Sequence, residues 1–373
     1  MKFLHLSDLH IGKRVNEVSL IDDQKFILNE ILKIIDAETP DAVIIAGDVY
    51  DKSIPSTEAV ELLDSFLVRL SQRQTEVFII SGNHDSPERL TFGARLIDSS
   101  GIHIAPVYNG EINPYRVKDV NIWLLPFIKP AHVRRFFDDE SIESYTDAMR
   151  VAINHMSVNP DERNILVTHQ FVTGSSRTDS EDISVGGADN IDTSVFDVFD
   201  YVALGHIHRP QNCGNERVRY CGTPLKYSFS EANDKKSVTV GEVNEDGQLT
   251  IRTIPLTPRH DMVELKGSYD ELVAKSFYEN TTYQEDYVHI TLTDEDDIPD
   301  AVSKLRTIYH NLMKLDYDNR RTRTNNIING ATEAENKSPL ELFSDFYIER
   351  NGQALNDEQT AFLQNIIESI WEE

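Results

Sequence analysis

Seven residues whose side chains bind divalent cations stand close after short, mainly apolar segments of this chain. They are Asp8, His10, Asp48, Asn83, His169, His206 and His208. Imidazole nitrogens combined with carboxylate oxygens favour Mn²⁺, with Fe²⁺ or Zn²⁺ as alternatives and Mg²⁺ less suited. One such ligand is weak evidence, whereas five apolar segments that each lead into a ligand predict a metal centre.

The number of ligands suits two cations per chain, with Asp48 as the carboxylate that bridges them. Two cations acidify water, bind the non-bridging oxygens of a phosphate and stabilise its in-line displacement. His84 follows Asn83 and is left over from the ligand set. We expect it to give a proton to the leaving group or a hydrogen bond to the phosphoryl oxygens.

The segments that carry these ligands are typical of buried strands. They cover residues 3–6, 43–46, 77–80, 165–168 and 201–204. Residues two apart in an extended segment face the same side, so Asp8 can act with His10 and His206 with His208. Strands alternate with helical patterns in the first hundred residues, and this order predicts an α/β fold.

Other patterns predict further elements and leave two questions open. Helical periodicity covers residues 86–97, 130–137 and 142–156. The polar segment 173–192 is either a flap that faces the substrate or a mobile surface loop. In a helix that opens at Ser56 and Thr57, Leu62, Leu63 and Phe66 are candidates for a dimer contact and equally good candidates for the core.

The strongly acidic balance, a net charge of −27, argues against a nucleic-acid partner if it is taken alone. About half of the acidic excess lies after residue 259, where 24 acidic residues face 10 basic ones. Basic residues also lie near the predicted ligands in the sequence. The candidate contacts with DNA are Lys13, Arg14, Arg89 and Arg177.

Two compositional features bear on the compartment. No apolar run reaches the length of a membrane span and no signal-peptide pattern opens the chain, so we expect a cytoplasmic protein without a membrane partner. Cys213 and Cys221 cannot build a disulfide framework, and we expect free thiols rather than a zinc pair.

Composition changes along the chain predict four segments. Residues 1–258 form the catalytic domain, residues 259–317 a small α+β capping domain, residues 318–338 a polar linker, and residues 339–373 two amphipathic helices. Within the cap we expect strands at 262–265 and 287–292 and helices at 269–276 and 298–312. The terminal helices either pack on their own domain or dock a partner, and their apolar residues include Leu340, Phe343, Phe346, Phe362, Ile366 and Ile370.

The ligand motifs, in this order, resemble those of the calcineurin-like metallophosphoesterases. They are Asp-x-His at 8–10, Gly-Asp-x-x-Asp at 47–51, Gly-Asn-His-Asp at 82–85, a lone histidine at 169 and Gly-His-x-His at 205–208. The resemblance covers roughly residues 1–255. It implies a sandwich of two sheets flanked by helices, which refines the α/β prediction.

The resemblance also implies a role for individual residues. One metal would be held by Asp8, His10, Asp48 and His208, and the other by Asp48, Asn83, His169 and His206. His84 corresponds to the catalytic histidine of the family. Asp51 and Asp85 are expected to orient the ligands rather than to bind metal.

Within that family the chain resembles nuclease subunits that act with a long coiled-coil ATPase in DNA repair and recombination. The residues that carry this resemblance are 3–12, 46–51, 82–87, 205–210, 220–224 and 227–231. It implies a homodimer, a DNA substrate, double-strand exonuclease activity and single-strand or hairpin endonuclease activity. The terminal helices would then dock the ATPase.

Two other functions compete with this interpretation. A phosphatase or pyrophosphatase acting on another substrate would use the same ligands, but Lys52 follows Asp51 and Asp85 follows His84, where protein phosphatases of this class have Arg and Glu. A non-enzymatic scaffold with this fold should have lost ligands, and the sequence retains the full set.

Overall fold

The computed structural model describes residues 1–181, 190–244, 248–320, 322, 339–351 and 354–371. The described part of the first 255 residues contains fourteen strands. They are β1 Lys2–Leu6, β2 Arg14–Val15, β3 Val18–Ser19, β4 Ala42–Ala46, β5 Glu76–Ile80, β6 Ile102–Ala105, β7 Tyr115–Val117, β8 Val120–Leu125, β9 Arg163–His169, β10 Tyr201–Gly205, β11 Gln211–Cys213, β12 Asn215–Tyr220, β13 Ser237–Val243 and β14 Leu249–Pro255.

Twelve of these strands form two six-stranded sheets, and β2 and β3 form a separate hairpin. The first sheet has the order β14-β13-β1-β4-β5-β6, with β1, β4, β5 and β6 parallel. The second has the order β11-β12-β10-β9-β8-β7, with β8, β9, β10 and β12 parallel. Parallel neighbours end at the same edge of their sheet, so the ligands that follow β1, β4 and β5 emerge side by side.

The two sheets pack face to face around an apolar layer. Phe3, Ile44 and Phe78 of the first sheet lie in one buried cluster with Ile165 and Ala203 of the second. The outer face of each sheet is buried as well, by helices, which explains why the central strands are apolar on both faces. The two-sheet sandwich flanked by helices is thereby confirmed.

The helices of this part of the chain lie on those outer faces and in the connections. They are Ile21–Glu38, Thr57–Ser71, Pro87–Leu90, Ala94–Ile97, Pro130–Arg134 and Tyr145–Asn154, with 3₁₀ turns at Asp98–Ser100, Thr193–Phe196 and Phe229–Glu231. Leu63 and Phe66 are buried in the core, so of the two roles open to them the structure gives them the core role.

Predicted helices differ from the observed ones where a local feature interrupts them. The helix expected over 86–97 is divided into Pro87–Leu90 and Ala94–Ile97, because Gly93 adopts a φ of 78° between them. The helices expected over 130–137 and 142–156 are each shorter, at Pro130–Arg134 and Tyr145–Asn154.

A second, smaller unit follows β14. Its parallel sheet contains β15 Met262–Gly267, β16 Tyr287–Leu292 and β17 Asn311–Tyr317, with helices at Tyr269–Val273, Lys275–Tyr278 and Ala301–Arg306. The expected helix over 298–312 was wrong in its second half, since Leu312 pairs with Val288 of β16 in the sheet and is buried there. Tyr287 donates a hydrogen bond to Asp23 of the first unit over 2.6 Å, which links the two units.

Two helices close the chain, at Pro339–Asn351 and Asp357–Trp371. They touch each other, and Gln359 Nε2 donates to the Tyr347 hydroxyl over 3.2 Å. Most of the predicted linker, part of the 173–192 segment, and the side chain of Ile370 lie outside the described residues. Within the described part of the chain, none of the helices combines the length and hydropathy needed to cross a lipid bilayer. Cys213 and Cys221 are buried free thiols, as expected.

Candidate metal centre

The structure brings all seven predicted ligands to the edge where β1, β4, β5, β9 and β10 end. Asp8 and His10 follow β1, Asp48 follows β4, and Asn83 follows β5. On the second sheet, His169 is the last residue of β9, and His206 and His208 follow β10. Residues separated by up to 200 positions in the sequence therefore lie in one site.

One group of donors consists of Asp8, His10 and His208, whose ligand atoms lie within 4.8 Å of one another. The Nε2 atoms of His10 and His208 are 3.1 Å apart. All three side chains are fully buried or nearly so. Two imidazole nitrogens and a carboxylate that converge away from water are a donor set that fits a divalent cation.

A second group of donors includes Asp48 and shares Asp8 with the first group. Asp8, Asp48 and His169 also have ligand atoms within 4.8 Å of one another. Asn83 Oδ1 is 3.0 Å from His169 Nε2 and 2.9 Å from His206 Nδ1. The donor atoms of Asn83, His169 and His206 therefore meet at a point that fits a second cation.

Asp48 faces both groups. Its Oδ2 atom is 3.6 Å from His10 Nε2 and 3.3 Å from His169 Nε2. Its side chain is only 2% exposed. This position between the two groups is the one that a bridging carboxylate requires.

His84 lies beside Asp48 at the more open side of the site. Its Nε2 atom is 4.0 Å from Asp48 Oδ2, and its side chain is 19% exposed. The backbone N–H of His84 donates to Asp48 Oδ1 over 2.9 Å. The ring therefore stands next to the ligands while remaining accessible to a substrate.

The backbone at the site is unusual for residues other than glycine. The φ angles of Asp8, His10, Asp48 and His206 are 52°, 42°, 49° and 103°. Positive φ costs free energy for such residues and is concentrated at functional sites. The turns after these strands thus adopt unfavourable backbone conformations that direct the four side chains toward one point.

Three glycines precede ligands where a side chain would not fit. A Cβ atom on Gly47 or Gly205 would overlap the His169 ring, and one on Gly82 would overlap the Asp48 carboxylate. The glycines of the Gly-Asp, Gly-Asn-His and Gly-His motifs therefore allow the two sheets to bring their ligands together.

Two further aspartates hold the ligand loops. The Asp85 carboxylate accepts hydrogen bonds from the backbone N–H groups of Val49, Tyr50 and Gly82 over 2.9–3.1 Å, which ties the turn after β4 to the turn after β5. Asp51 Oδ1 lies 2.8 Å from Lys13 Nζ and 3.7 Å from His10 Nδ1. Both carboxylates therefore contact the turns that carry the predicted ligands.

Burial governs the electrostatics of the site. Burial raises the pKa of Asp8 to about 6 and lowers the pKa of His10 and His206 well below its usual value, so both rings are neutral and able to bind a metal. Burial opposes the charged forms of Asp48 and His169 as well, yet their mutual attraction lowers the Asp48 pKa and raises the His169 pKa to about 9.

Residues that the sequence analysis did not assign support His208. Its backbone N–H donates to Glu181 over 2.6 Å, and its ring contacts Ser180, which in turn contacts the buried Glu231. Burial would raise the pKa of Glu231, but His208 and Lys236 lower it to about 2. These residues lie in other segments of the chain, so ligand spacing could not identify them.

The basic residues proposed to contact DNA have different surroundings. Lys13 pairs with Asp51 beside the ligands, and Arg14 donates to the backbone carbonyl of Glu17 in the β2–β3 hairpin. Arg89 is exposed on the helix after the Asn83 turn. The guanidinium of Arg177 stacks 3.6 Å above the Phe171 ring, which itself contacts His206.

This fold and donor set define a class of protein, and the comparison of family models agrees. A model described as calcineurin-like phosphoesterase matches residues 1–210. The chain belongs to the calcineurin-like phosphoesterase family. It is accordingly a metal-dependent hydrolase of phosphoesters, and its fold implies a site for two divalent cations.

The chain is more specifically similar to the SbcD subunit of the SbcCD nuclease of Staphylococcus epidermidis. The two are 34% identical over 319 residues, which cover 84% of this chain and 85% of the relative. A second model, described as the type 5 capsule protein repressor C-terminal domain, matches residues 258–351. The resemblance to a nuclease subunit of this kind is thus confirmed.

Two solved structures are also similar over part of the chain. A dimetal phosphatase from Danio rerio is 12% identical, with a TM-score of 0.43, and the match covers 69% of this chain and 98% of the other. The protein TT1561 of Thermus thermophilus is 13% identical, with a TM-score of 0.38, and the match covers 68% and 98%.

Proposed function

We propose that this chain is the nuclease subunit of a DNA repair and recombination complex and hydrolyses phosphodiester bonds with two divalent cations. The observation that carries the proposal is the position of Asp48 Oδ2, 3.6 Å from His10 Nε2 of one donor group and 3.3 Å from His169 Nε2 of the other, in a chain that is 34% identical to an SbcCD nuclease subunit. The proposed activities are double-strand exonuclease and single-strand or hairpin endonuclease.

The two donor groups suggest how the cations are held. We assign Asp8, His10, Asp48 and His208 to one cation and Asp48, Asn83, His169 and His206 to the other. The carboxylate and amide oxygens that accompany the imidazoles in each set are donors that suit Mn²⁺. When bound, the pair would supply an acidified water and neutralise the phosphoryl oxygens.

Proton donation and substrate binding are proposed to be carried out by side chains that do not bind metal. His84, accessible beside Asp48, is proposed to donate a proton to the leaving oxygen or a hydrogen bond to the phosphoryl group. Arg177 stacks on Phe171, which lies beside His206, and we propose that its guanidinium binds a DNA phosphate. Lys13, Arg14 and Arg89 remain candidates for the same purpose.

The terminal helices are proposed to dock the SbcC-type coiled-coil ATPase. Phe343, Phe346 and Phe362 are 42%, 52% and 66% exposed, and the Phe343 and Phe346 rings lie with their centroids 6.4 Å apart. Exposed aromatic side chains on a helix are suited to insertion into an apolar groove on a partner. On this proposal, residues 1–258 hydrolyse DNA, residues 259–317 form the cap, and the helices after the 318–338 linker recruit the ATPase.

We propose further that two copies of the chain pair through the segment after the Asn83 turn. Phe92 and Leu96 are 93% and 81% exposed there, although large apolar side chains are costly to leave in water. We expect Phe92→Asp with Leu96→Asp to convert a dimer to a monomer in light scattering, whereas Val198→Asp, at another exposed apolar position, leaves it dimeric. A persistent dimer in the double variant would contradict this assignment.

The function as a whole is tested with the purified chain and MnCl₂. Turnover is measured on linear duplex, hairpin and single-stranded DNA and on p-nitrophenyl phosphate, with and without the ATPase. We expect cleavage of DNA to exceed hydrolysis of the small ester. Efficient hydrolysis of p-nitrophenyl phosphate with no DNA cleavage would instead support a metallophosphatase or pyrophosphatase.

A further inference from the structure

The His208 ring has a second nitrogen that faces away from the ligand group. Its Nε2 atom points toward His10, while its Nδ1 atom lies 2.6 Å from Ser180 Oγ. Ser180 Oγ in turn lies 2.6 Å from Glu231 Oε1. Glu231 Oε1 is 3.6 Å from His208 Nδ1, so the carboxylate reaches the ring through the hydroxyl.

Glu231 is a fully buried carboxylate with a buried counter-ion. Lys236 Nζ lies 2.5 Å from Glu231 Oε2 and also donates to the His208 backbone carbonyl over 2.8 Å. The Lys236 side chain is 3% exposed. A buried ion pair is costly unless its geometry and hydrogen bonds compensate for lost hydration, so the pair needs an explanation.

The chemistry of the donors fixes the direction of this chain of hydrogen bonds. An ionised Glu231 can only accept, so the Ser180 O–H donates to it. The lone pairs of Ser180 Oγ then accept the proton of His208 Nδ1–H. With Nδ1 engaged by Ser180, Nε2 is the nitrogen left to bind a cation, and it is the atom that faces His10.

We propose that Glu231 is a positioning residue that acts through Ser180 to hold His208 in the Nδ1–H tautomer and in its ligand orientation. Lys236 balances the charge of Glu231 and fixes the backbone of His208 from the other side. This inference rests on the proposed metal-dependent function. It also gives a role to Ser180 and Glu181, which lie in the described part of the 173–192 segment and both contact His208.

Calorimetric titration of the full-length, metal-depleted chain with Mn²⁺ measures its affinity for the cation and tests the proposal. We expect Ser180→Ala and Glu231→Gln to weaken binding at one of two sites by about 10- to 100-fold, the usual effect of losing such a partner. Ser180→Thr keeps the hydroxyl and should retain most of the affinity. Ser176→Ala, in the same segment but bonded to Gln211, and the exposed Glu216→Gln are matched controls.

A spectroscopic readout separates positioning from a loss of structure. In the Zn²⁺-loaded chain labelled with ¹⁵N-histidine, we expect the Nδ1 proton of His208 to exchange slowly with water. The His208→Gln variant assigns this signal. In Ser180→Ala we expect the same proton to exchange rapidly. Ser180 is partly exposed, so its variant provides the test even where Glu231→Gln does not fold.

The outcomes distinguish this inference from the proposed function. If the unaltered chain binds two Mn²⁺ ions and Ser180→Ala binds them as tightly as Ser176→Ala does, with the same proton exchange, the positioning role is overturned and the function stands. If the unaltered chain binds no Mn²⁺, both fail.

Discussion

At the scale of single residues, the site depends on side chains that serve more than one neighbour. Asp48 Oδ2 lies within 4.0 Å of His10, His84 and His169. Its other oxygen accepts the backbone N–H of His84. Asp48 therefore connects both donor groups with His84, the candidate catalytic residue. Its loss should affect metal binding by both groups as well as the position of His84.

Asp48→Ala should weaken the binding of both cations and lower Mn²⁺-dependent cleavage by about a thousandfold or more, because this carboxylate lies beside His10 of one donor group and His169 of the other. Metal content by mass spectrometry and nuclease turnover measure the two effects. Asp64→Ala removes an exposed carboxylate and serves as the control. Full activity of the Asp48 variant would refute the bridging assignment.

His84→Gln should keep both cations and DNA binding but lower kcat by about 10²- to 10⁴-fold, the range for a lost general acid. Its ring stands beside the ligands without belonging to either assigned set. Calorimetry with Mn²⁺ and single-turnover cleavage are the measurements, with the exposed His155→Gln as a matched control. Loss of metal instead of turnover would mean that His84 is a ligand.

Among the secondary-structure elements, the positions at which the strands end determine where the predicted ligands lie. Neighbouring parallel strands deliver their ligands to one edge, and the two sheets bring their edges together. Close approach of these turns requires glycine, because a Cβ atom at three positions would overlap a ligand. The turns are therefore as important for the metal centre as the ligands themselves.

Gly82→Ala should displace the Asp48 carboxylate and destabilise the fold by about 1–3 kcal/mol, the usual cost of inserting a group into a packed region. The predicted results are a lower midpoint of chemical denaturation and weaker Mn²⁺ binding. Gly267→Ala is the comparison, since the nearest atoms there are the ends of flexible side chains. If both variants bind Mn²⁺ equally well, the turn does not need glycine at position 82.

At the scale of the whole molecule, one short turn connects the second unit with the metal centre. Within the 3₁₀ turn Phe229–Glu231, the Phe229 ring packs against His289 of β16 with centroids 5.3 Å apart. Glu231 of the same turn supports His208 through Ser180. The terminal helices are proposed to act at the same scale, by recruiting the ATPase.

Phe346→Asp combined with Phe362→Asp should lower affinity for the ATPase by at least about tenfold while Mn²⁺-dependent cleavage by the chain alone is unchanged. Both side chains are more than half exposed, so the fold does not depend on burying them. Biolayer interferometry with the purified ATPase gives the affinity, and Val302→Asp is the control. Equal affinity for both variants would exclude these helices as the docking site.

Residue types and their positions were enough to predict the candidate ligands, because metal chemistry depends on residue type and because apolar segments ending in Asp, Asn or His mark strand ends. The sequence also determined the α/β order of the first hundred residues. The tertiary structure alone decided which donors meet, since Asp8 and His208 are adjacent only after two sheets pack together. It likewise showed that Leu63 and Phe66 belong to the core and that residues 311–317 form a strand. It also placed Ser180 and Glu231 behind His208. Each of these features depends on contacts between residues far apart in the chain.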